Sequence, residues 1–280
     1  MSTAAPLLAV DGDSFAHRAY HALPSSIRRA EGRPGNMLVG FANMIVRLWE
    51  AEQPWGVLVG WDTLTAPTYR HEAFPAYQSG RVFEPELVEQ LDLLPELCEA
   101  LGFAWAKEAG YEADDFLAAA AKREEAAGGR TLVATSDRDA FQLASKLTTI
   151  LQPTRGVSEV ARIGPAEVRE RYGVEPEQVP DFIALRGDPS DRMPGARGVG
   201  PKTAADVLRR YGSLEGALEE GRFAAEAEDL RLYRRIASMD ASAPLPLVVA
   251  ASPSWSEASA LVSKWGLGQL AGRLEALASA

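Results

Sequence analysis

Short apolar runs alternate with amphipathic stretches along the first part of the chain. The apolar runs contain β-branched or aromatic residues and predict buried strands at 7–10, 56–61, 103–106, 131–135 and 148–152. Apolar residues at helical spacing predict helices between these runs, at 36–52, 86–101 and 113–127. This alternation indicates an α/β fold with a mostly parallel sheet flanked by helices.

The pattern changes after about residue 164, where the strand-like runs stop. Short amphipathic segments joined by Gly and Pro turns follow, and they predict a mainly helical second part. We therefore predict an α/β domain over 1–180 and a helical region over 181–280. Residues 63–85 lack helical periodicity and mix basic with aromatic side chains, which indicates a long functional loop.

Composition narrows the class of protein. The chain has 280 residues, of which 46% are hydrophobic, enough to bury a substantial core. Its single cysteine, Cys98, excludes internal disulfides and thiolate zinc clusters and is expected in the core. Apolar runs are too short to span a membrane, and the N-terminal segment lacks a basic region and reaches Asp11 early. We expect a soluble cytoplasmic protein with no membrane partner.

Carboxylates recur after almost every predicted strand. Asp11 follows the first strand, Asp62 the second, and the stretch "GYEADDF" opens the helix after the third. In isolation, acidic residues there would only favour the first turn of a helix. Strand ends of a parallel sheet meet at one edge, however, so the recurrence predicts a shared site. The nine carboxylates expected to converge are Asp11, Asp62, Glu112, Asp114, Asp115, Asp137, Asp139, Asp188 and Asp191.

So many negative charges in one cleft repel one another strongly, and binding of hard divalent cations relieves that repulsion. Oxygen ligands without cysteine suit Mg²⁺ or Mn²⁺. Two such ions about 3.5–4 Å apart suit phosphodiester hydrolysis, because one activates water and the other stabilises the leaving oxygen. The sequence thus predicts a site with two divalent cations.

The net charge of −10 disfavours a polyanionic partner such as DNA only at first sight. Without the nine site carboxylates the net charge is −1, and two divalent cations would add four positive charges. Basic residues also concentrate in the stretches 192–210 and 231–235. A locally positive face is therefore compatible with an acidic chain.

A glycine-rich turn precedes one predicted helix in "GARGVGPKTAADVL". Gly198 and Gly200 flank Val199, and Pro201 and Lys202 follow. Such a turn can offer backbone N–H groups to a phosphate, although an ordinary turn between helices is an equal alternative. A nucleotide-binding P-loop is excluded because Pro201 separates Gly200 from Lys202 and no strand precedes the turn.

Other chemistry fits the sequence less well. "AVDGDS" has the Asp-Gly-Asp arrangement of haloacid-dehalogenase-type phosphatases, with Asp11 and Asp13, but that function leaves "GYEADD", the glycine turn and "GDPSD" unexplained. For His17, His21 and His71, structural roles are favoured over metal ligation.

Five segments together resemble the bacterial 5′-nuclease family, which includes the 5′-exonuclease domain of DNA polymerase I and stand-alone flap endonucleases. They occur in order across nearly the whole chain: "VDGDSFAHRAYHALP", "YRHEAFPAYQSGR", "GYEADD", "TSDRDAFQLAS" and "GDPSDRMPGARGVGPKTA". The resemblance implies a PIN-like core joined to a helix-three-turn-helix region. Because no polymerase portion follows, it also implies a stand-alone, monomeric 5′-3′ exonuclease and flap endonuclease of replication and repair.

The resemblance further assigns the site residues. A first metal cluster would comprise Asp11, Asp62, Glu112 and Asp114, and a second would comprise Asp137, Asp139 and Asp191. Asp115 and Asp188 would complete the acidic shell partly through waters. Arg18, Arg70 or Arg81 would supply positive charge near the scissile phosphate.

The implied substrate is DNA with 5′ flaps, nicks or overhangs, and also RNA primers. The turn at 198–200, with Lys202 and Thr203, would hold duplex backbone and a K⁺ ion. The loop from about 66 to 84 would be the arch that admits a single-stranded 5′ end, with Tyr77 and Gln78 in contact with it. The resemblance also makes a polymerase or sliding clamp a candidate partner, and the bacterial nucleoid the place of action.

Four positions depart from the family pattern, and one of them is Ser136, which replaces a usual Gly or Ala. Gln78 stands where the arch usually carries a catalytic basic residue, and Arg192 replaces a usual Asn after Asp191. Asp13 adds a carboxylate beside Asp11, and we hypothesise that it helps to coordinate an extra metal ion. The change at Gln78 keeps open a catalytically weak DNA-binding protein, and the metal chemistry alone would also suit a PIN-type ribonuclease.

Overall fold

The computed structural model describes residues 5–64, 66–155, 159–250 and 252–279. Among these residues, six strands form one sheet in the order β3-β2-β1-β4-β5-β6. Strands β1 to β5 run parallel, and β6 runs antiparallel to β5. The strand bounds are β1 Leu7–Asp11, β2 Gly56–Gly60, β3 Ala104–Ala106, β4 Thr131–Ala134, β5 Thr148–Arg155 and β6 Glu159–Ile163. The predicted α/β class with a mostly parallel sheet is confirmed.

The sixth strand, β6, was not predicted. Its burial pattern leaves only Ile163 buried, because the strand forms an edge of the sheet and is paired on one side only. The sequence "EVARI" therefore shows no apolar run. Residues 156–158, which join β5 to β6, lie outside the described part of the chain.

The described residues form thirteen α-helices. These are α1 Gly12–Ala22, α2 Asn36–Glu52, α3 Tyr69–Ala73, α4 Pro85–Leu91, α5 Leu94–Ala100, α6 Ala113–Ala126, α7 Pro165–Tyr172, α8 Val179–Arg186, α9 Pro201–Tyr211, α10 Leu214–Glu219, α11 Ala227–Ala237, α12 Trp255–Lys264 and α13 Gly268–Ala278. The predicted helices at 36–52 and 113–127 are present as α2 and α6.

The single helix predicted over 86–101 was wrong, since two helices, α4 and α5, occupy this stretch. Pro95 explains the break: it has no N–H to donate to the carbonyl of Leu91, and its ring would clash with that carbonyl. The predicted loop 63–85, of which residue 65 lies outside the description, contains the short helix α3. This helix spans only five residues, too few to show a helical pattern.

Alternate residues of the central strands pack on opposite faces of the sheet. On one face, Leu8, Val10 and Val59 contact a core formed with α1, α2, α4, α5, α12 and α13, which includes the buried Cys98. On the other face, Leu7 and Ala9 join a core formed with α6 to α11. The two cores fix the sheet between two helical layers, and its carboxyl edge is left to form the site.

The helical region predicted over 181–280 is divided between these layers. Its proposed start at residue 181 falls inside α8. Helices α12 and α13 pack beside α2 and α5, where Trp255 lies edge-to-face on Trp49 with ring centroids 5.3 Å apart. The N–H of Ala30 donates to the carbonyl oxygen of Trp265 at 2.7 Å. Residues 255–278 are thus part of the layer that covers the α/β core.

Across the parts of the chain that the structure describes, no helix has both the length and the apolar character that crossing a bilayer requires.

Candidate active site

A cavity of about 830 Å³ opens at the carboxyl ends of the parallel strands. Carboxylates reach it from the end of β1, from the segments after β2 and β4, from the start of α6 and from the loop after α8. Eight of the nine predicted carboxylates line it, namely Asp11, Asp62, Glu112, Asp114, Asp137, Asp139, Asp188 and Asp191. The residue left over is Asp115. We call Asp11, Asp62, Glu112 and Asp114 the first cluster, and Asp137, Asp139, Asp188 and Asp191 the second cluster.

The carboxylate of Asp115 points away from the cavity and is fully buried. Its two oxygens accept hydrogen bonds from Arg70 at 2.8 Å each, and also from the backbone N–H groups of Glu112 and Asp240 at 3.0 and 2.8 Å. This corrects the expected place of Asp115 in the acidic shell, because both oxygens are already used by protein donors. Asp115 fixes the start of α6 instead.

Local structure positions the first cluster. Asp11 is the N-cap of α1: one oxygen accepts from the N–H of Ser14 at 2.9 Å, and the other accepts from the Thr135 hydroxyl at 2.6 Å. Asp62 accepts from the N–H of Ala113 at 2.7 Å. This bond needs close approach of α6 to β2, which Gly60 permits because a Cβ there would lie 2.8 Å from the Ala113 carbonyl oxygen.

Glu112, the N-cap of α6, is held by the predicted arch. Its two carboxylate oxygens accept hydrogen bonds from the hydroxyls of Thr68 at 2.9 Å and Tyr77 at 3.0 Å. A guanidinium nitrogen of Arg70 lies 3.4 Å from one of these oxygens. Residues from 68 to 77 therefore set the orientation of this carboxylate.

The second cluster comes from two loops. Asp137 follows β4 and accepts from the N–H of Asp139 at 2.8 Å. Asp188 accepts from the N–H of Ser190 at 2.8 Å. Asp191 accepts from the side-chain amide of Gln78 at 3.1 Å, and it pairs with the Arg81 guanidinium at 3.4 Å. The arch thus reaches the second cluster as well.

Burial and mutual repulsion favour protonation of these carboxylates in the absence of cations. Burial, with the nearby Asp62 and Asp137, raises the pKa of Asp11 to about 7. Burial and the charge of Glu112 raise the pKa of Asp62 to about 6. Burial and the charge of Asp188 raise the pKa of Asp191 to about 6. The pKa values of Asp114 and Asp139 are also raised, by burial and by the neighbouring Asp137.

The donor set fits divalent cations. One oxygen of Asp114, Oδ1, is buried and has no hydrogen-bond partner among the described residues, so its bonding capacity is left unused. The side chains that line the cavity offer carboxylate oxygens, which hard cations prefer. Within the described ranges, no three His, Cys, Asp or Glu side chains are yet arranged to hold an ion. Ion binding therefore requires some side chains of the two clusters to move closer together, while the backbone already brings them to one cavity.

The arginines that were predicted to lie near the scissile phosphate differ in solvent exposure. Arg18 and Arg81 line the cavity, and the Arg81 side chain is 45% exposed. Arg70 also lines the cavity, but its side chain is only 4% exposed and is bonded to Asp115, so contact with a phosphate would require it to leave this carboxylate. Sequence reasoning missed Arg186, which lines the cavity and lies 3.3 Å from Asp188. Its position just before "GDPSD" was the available signal.

Asp13 and two of the three histidines also line the cavity. Asp13 lines the cavity next to Asp11, but its oxygen Oδ2 accepts from the N–H of Asp62 at 2.7 Å. His17 and His21 also line it, and His71 lies in the arch with Nδ1 2.9 Å from the Thr68 hydroxyl. The hydroxyls of Thr68 and Thr135, which hold the first cluster, had no distinctive sequence pattern.

The glycine-rich turn lines a second cavity, which has a volume of about 540 Å³. Its lining includes Gly198, Val199 and Gly200. Gly198 has a φ of 74°, and Gly200 is the N-cap of α9. Lys202 and Thr203 are exposed in the first turn of α9. The predicted turn before a helix is present, and its contact with duplex DNA stays a prediction.

Comparison with known families and proteins adds to this geometry. The family model described as "5′-3′ exonuclease, N-terminal resolvase-like domain" matches residues 6–173. The one described as "5′-3′ exonuclease, C-terminal SAM fold" matches residues 174–257. Together they span both the sheet with its carboxylates and the helices that carry the glycine-rich turn.

Curated relatives include DNA polymerases. The DNA polymerase I of Mycobacterium bovis is 43% identical over 215 residues, which cover 76% of this chain and 24% of that protein. The thermostable DNA polymerase I of Thermus thermophilus is 38% identical over 255 residues, which cover 87% of this chain and 30% of that protein. The chain thus spans less than a third of the length of these relatives.

Solved structures share the fold. A T5 5′-exonuclease with bound zinc superposes with a TM-score of 0.70 at 18% identity, covering 96% of this chain and 97% of that one. The catalytic core of Rad2 in complex with a DNA substrate superposes with a TM-score of 0.62 at 16% identity, covering 98% and 91%. At these identities the likeness concerns the fold alone. The N-terminal family model matches more than half of the residues, and the chain therefore belongs to the 5′-3′ exonuclease family.

Proposed function

We propose that the protein is a metal-dependent 5′-3′ exonuclease and 5′-flap endonuclease that hydrolyses phosphodiesters where single-stranded DNA meets duplex. The observation that carries this proposal is the cavity in which eight carboxylates converge, with one buried oxygen of Asp114 left without a partner among the described residues. Such a concentration of negative charge near a polyanion is favourable only if cations neutralise it.

The first cluster and the second cluster would each hold one divalent cation, Mg²⁺ or Mn²⁺, in this proposal. Bound there, the cations supply activation of water and stabilisation of the leaving oxygen. The protein's own side chains orient the substrate. Arg81, at the rim of the cavity, and Arg18, on its wall, are placed to bind the scissile phosphate. Arg70 has no such role in this proposal, since its guanidinium is buried against Asp115.

The sugar-phosphate backbone of duplex DNA would bind at the glycine-rich turn. A K⁺ ion bound at this turn would contact the same phosphate groups. The turn exposes Lys202 and Thr203 at the start of α9, where the helix dipole also favours a phosphate. The single-stranded 5′ end would pass along the arch beside the cavity. We extend the proposal to RNA primer ends as substrates, to a monomer acting at the bacterial nucleoid, and to recruitment by a polymerase or sliding clamp.

A cleavage assay tests this function. A duplex with an end-labelled 5′ flap is compared with a nicked duplex and a free single strand while Mg²⁺ or Mn²⁺ is titrated from zero. We expect cation-dependent cutting near the flap junction, with product lengths that separate endonuclease from exonuclease cleavage. The double variant Asp139→Ala/Asp191→Ala removes two proposed ligands of the second cation. Its cleavage rate should therefore fall by at least about 100-fold. Asp92→Ala, which removes an exposed carboxylate after α4, is the matched control.

Two results would contradict the proposal. Cleavage by Asp139→Ala/Asp191→Ala at the rate of the unmodified protein would remove the second cluster from the chemistry. Tight junction binding without cutting at any cation concentration would favour the DNA-binding alternative, motivated by Gln78, and would make Gln78→Lys the next variant to assay.

A further inference from the structure

Two consecutive arch residues, Tyr77 and Gln78, lie between the two carboxylate clusters. The Tyr77 hydroxyl donates to Glu112 Oε2 at 3.0 Å and accepts from the Gln78 side-chain amide at 2.8 Å. The same amide nitrogen lies 3.1 Å from Asp191 Oδ1. One continuous chain of hydrogen bonds therefore runs from the first cluster through the arch to the second.

Donors and acceptors match along this chain. A Gln side-chain amide has two N–H groups, so it can serve the Tyr77 oxygen and the Asp191 carboxylate at once. Tyr77 then has its single O–H proton available for Glu112. With the amide reversed, the Gln78 carbonyl oxygen would face the Asp191 carboxylate, so the order of donors is fixed by the acceptors.

The positions of both residues are restrained. Tyr77 is 4% exposed, and its ring contacts that of His71 edge-to-face with centroids 5.1 Å apart. Gln78 has a φ of 47°, in the left-handed region where a residue with a Cβ is strained by about 1 kcal/mol. Such a conformation persists where surrounding contacts hold it. Here these contacts include the hydrogen bonds of the Gln78 side chain to Tyr77 and Asp191.

We propose that Tyr77 and Gln78 are positioning residues that hold Glu112 and Asp191 in the orientation that binds cations, and thereby link closure of the arch to occupation of both clusters. This inference rests on the proposed metal-dependent function. Partners that orient a ligand typically change metal affinity 10–100-fold when they are removed. Linkage is reciprocal, so if the closed arch strengthens cation binding, bound cations must also stabilise the closed arch.

The first test measures Mn²⁺ binding to the DNA-free protein by titration calorimetry. Tyr77→Phe removes only the hydroxyl and should weaken Mn²⁺ binding about 10-fold. Tyr20→Phe is the matched control: it removes a hydroxyl that donates at 2.7 Å to Glu84 near the end of the same loop, and it should bind Mn²⁺ as the unmodified protein does. Unchanged Mn²⁺ affinity in Tyr77→Phe would overturn the proposal.

The second test measures hydrogen exchange of the arch amides at 69–81. Mn²⁺ should slow their exchange in the unmodified protein, and should slow it less in Tyr77→Phe. Equal exchange with and without Mn²⁺ in the unmodified protein would also overturn the proposal. If Tyr77→Phe does not fold, as judged by circular dichroism, Gln78→Met replaces it with the same expected results, because it keeps the side-chain length and removes the donors.

Kinetics separate this role from simple contact with DNA. A positioning role predicts about a 10-fold lower kcat at limiting Mn²⁺ with little change in KM for DNA. A higher KM with unchanged Mn²⁺ affinity would assign Tyr77 to DNA contact and overturn the proposal. If the unmodified protein binds Mn²⁺ but cuts no flap, the proposed function fails, while the affinity measurements still decide the role of Tyr77 and Gln78.

Discussion

Arg70 and Asp115 form a buried ion pair in which two guanidinium nitrogens each lie 2.8 Å from a different carboxylate oxygen. Arg70 also donates to the carbonyl oxygens of Ile236 and Ser238, at 3.0 and 3.3 Å. The pair thus joins the arch helix α3, the start of α6 and the end of α11. It fastens the helical region to the strand ends where the carboxylates converge.

Substitution of Arg70 should lower the stability of the fold considerably, because it leaves the Asp115 carboxylate buried without its positively charged partner. We expect Arg70→Met to lower the free energy of unfolding by about 3–5 kcal/mol. Arg70→Met/Asp115→Asn, which removes the stranded charge, should recover part of that loss. Urea denaturation in EDTA measures both. A loss below about 1 kcal/mol in Arg70→Met would mean that the pair contributes little.

Stability of the metal-free protein should fall as the pH rises through the range of the raised carboxylate pKa values. The folded-state pKa of Asp62 is about 6, above its ordinary value of 3.8, so the folded protein retains a proton there that the unfolded chain releases. Its contribution therefore opposes folding increasingly from about pH 4 to above pH 6. Asp62→Asn keeps an oxygen for the N–H of Ala113 and should gain about 2 kcal/mol at pH 8 in EDTA.

Thermal melting between pH 5 and 8 measures this effect, with the exposed Asp92→Asn as the control for a lost negative charge. Mn²⁺ should restore stability at pH 8 in the unmodified protein and much less in Asp62→Asn, because the cation binds the deprotonated folded form. A melting temperature of Asp62→Asn that falls with pH as steeply as in the unmodified protein would contradict the raised pKa.

Arg192 occupies a backbone conformation that suits asparagine better. Its φ is 59°, in the left-handed region, and its side chain is exposed. Asparagine tolerates this region because its short polar side chain bonds locally. Arg192→Asn should therefore raise the free energy of unfolding by about 0.5–1 kcal/mol. Denaturant unfolding measures the change, with Arg192→Ala, which keeps the strain, expected to show no gain.

Lys202 should contribute to DNA affinity through one phosphate contact. We expect Lys202→Ala to weaken junction binding similarly for all base sequences, and to reduce the slope of log affinity against log salt by about 1. Fluorescence anisotropy across a salt series measures the slope. Lys264→Ala, on α12, serves as the control for a lost exposed lysine. An effect of Lys202→Ala that varied with base sequence would contradict a backbone contact.

Sequence patterns predicted the strands better than they predicted the contacts of individual side chains. Apolar runs predicted β1 to β5, since buried parallel strands are apolar on both faces. The edge strand β6 escaped because its exposed residues carry no such pattern. Two adjacent helices also appeared as one, because the apolar spacing continues across the break before Pro95.

At the candidate site, the sequence likewise predicted where residues lie but not which contacts their side chains make. The sequence predicted that nine carboxylates would meet, and eight of them do, because sheet topology determines where most of those residues lie. Periodicity carries no information on which way a side chain turns. Arg70 and Asp115, both expected at the chemistry, form an ion pair with each other, and Asp115 does not line the cavity. The bridge from Tyr77 to Asp191 depends on the path of a loop, which the sequence pattern left undefined.

The hairpin of α12 and α13 determines when one side of the sheet can close during synthesis. Leu8 and Val10 are made early, whereas Ala258, Val262 and Leu274, which belong to the same core, emerge from the ribosome some 250 residues later. Until then this apolar face is incompletely covered and open to unwanted contacts. The nascent chain must keep that surface protected almost until translation of this segment is complete.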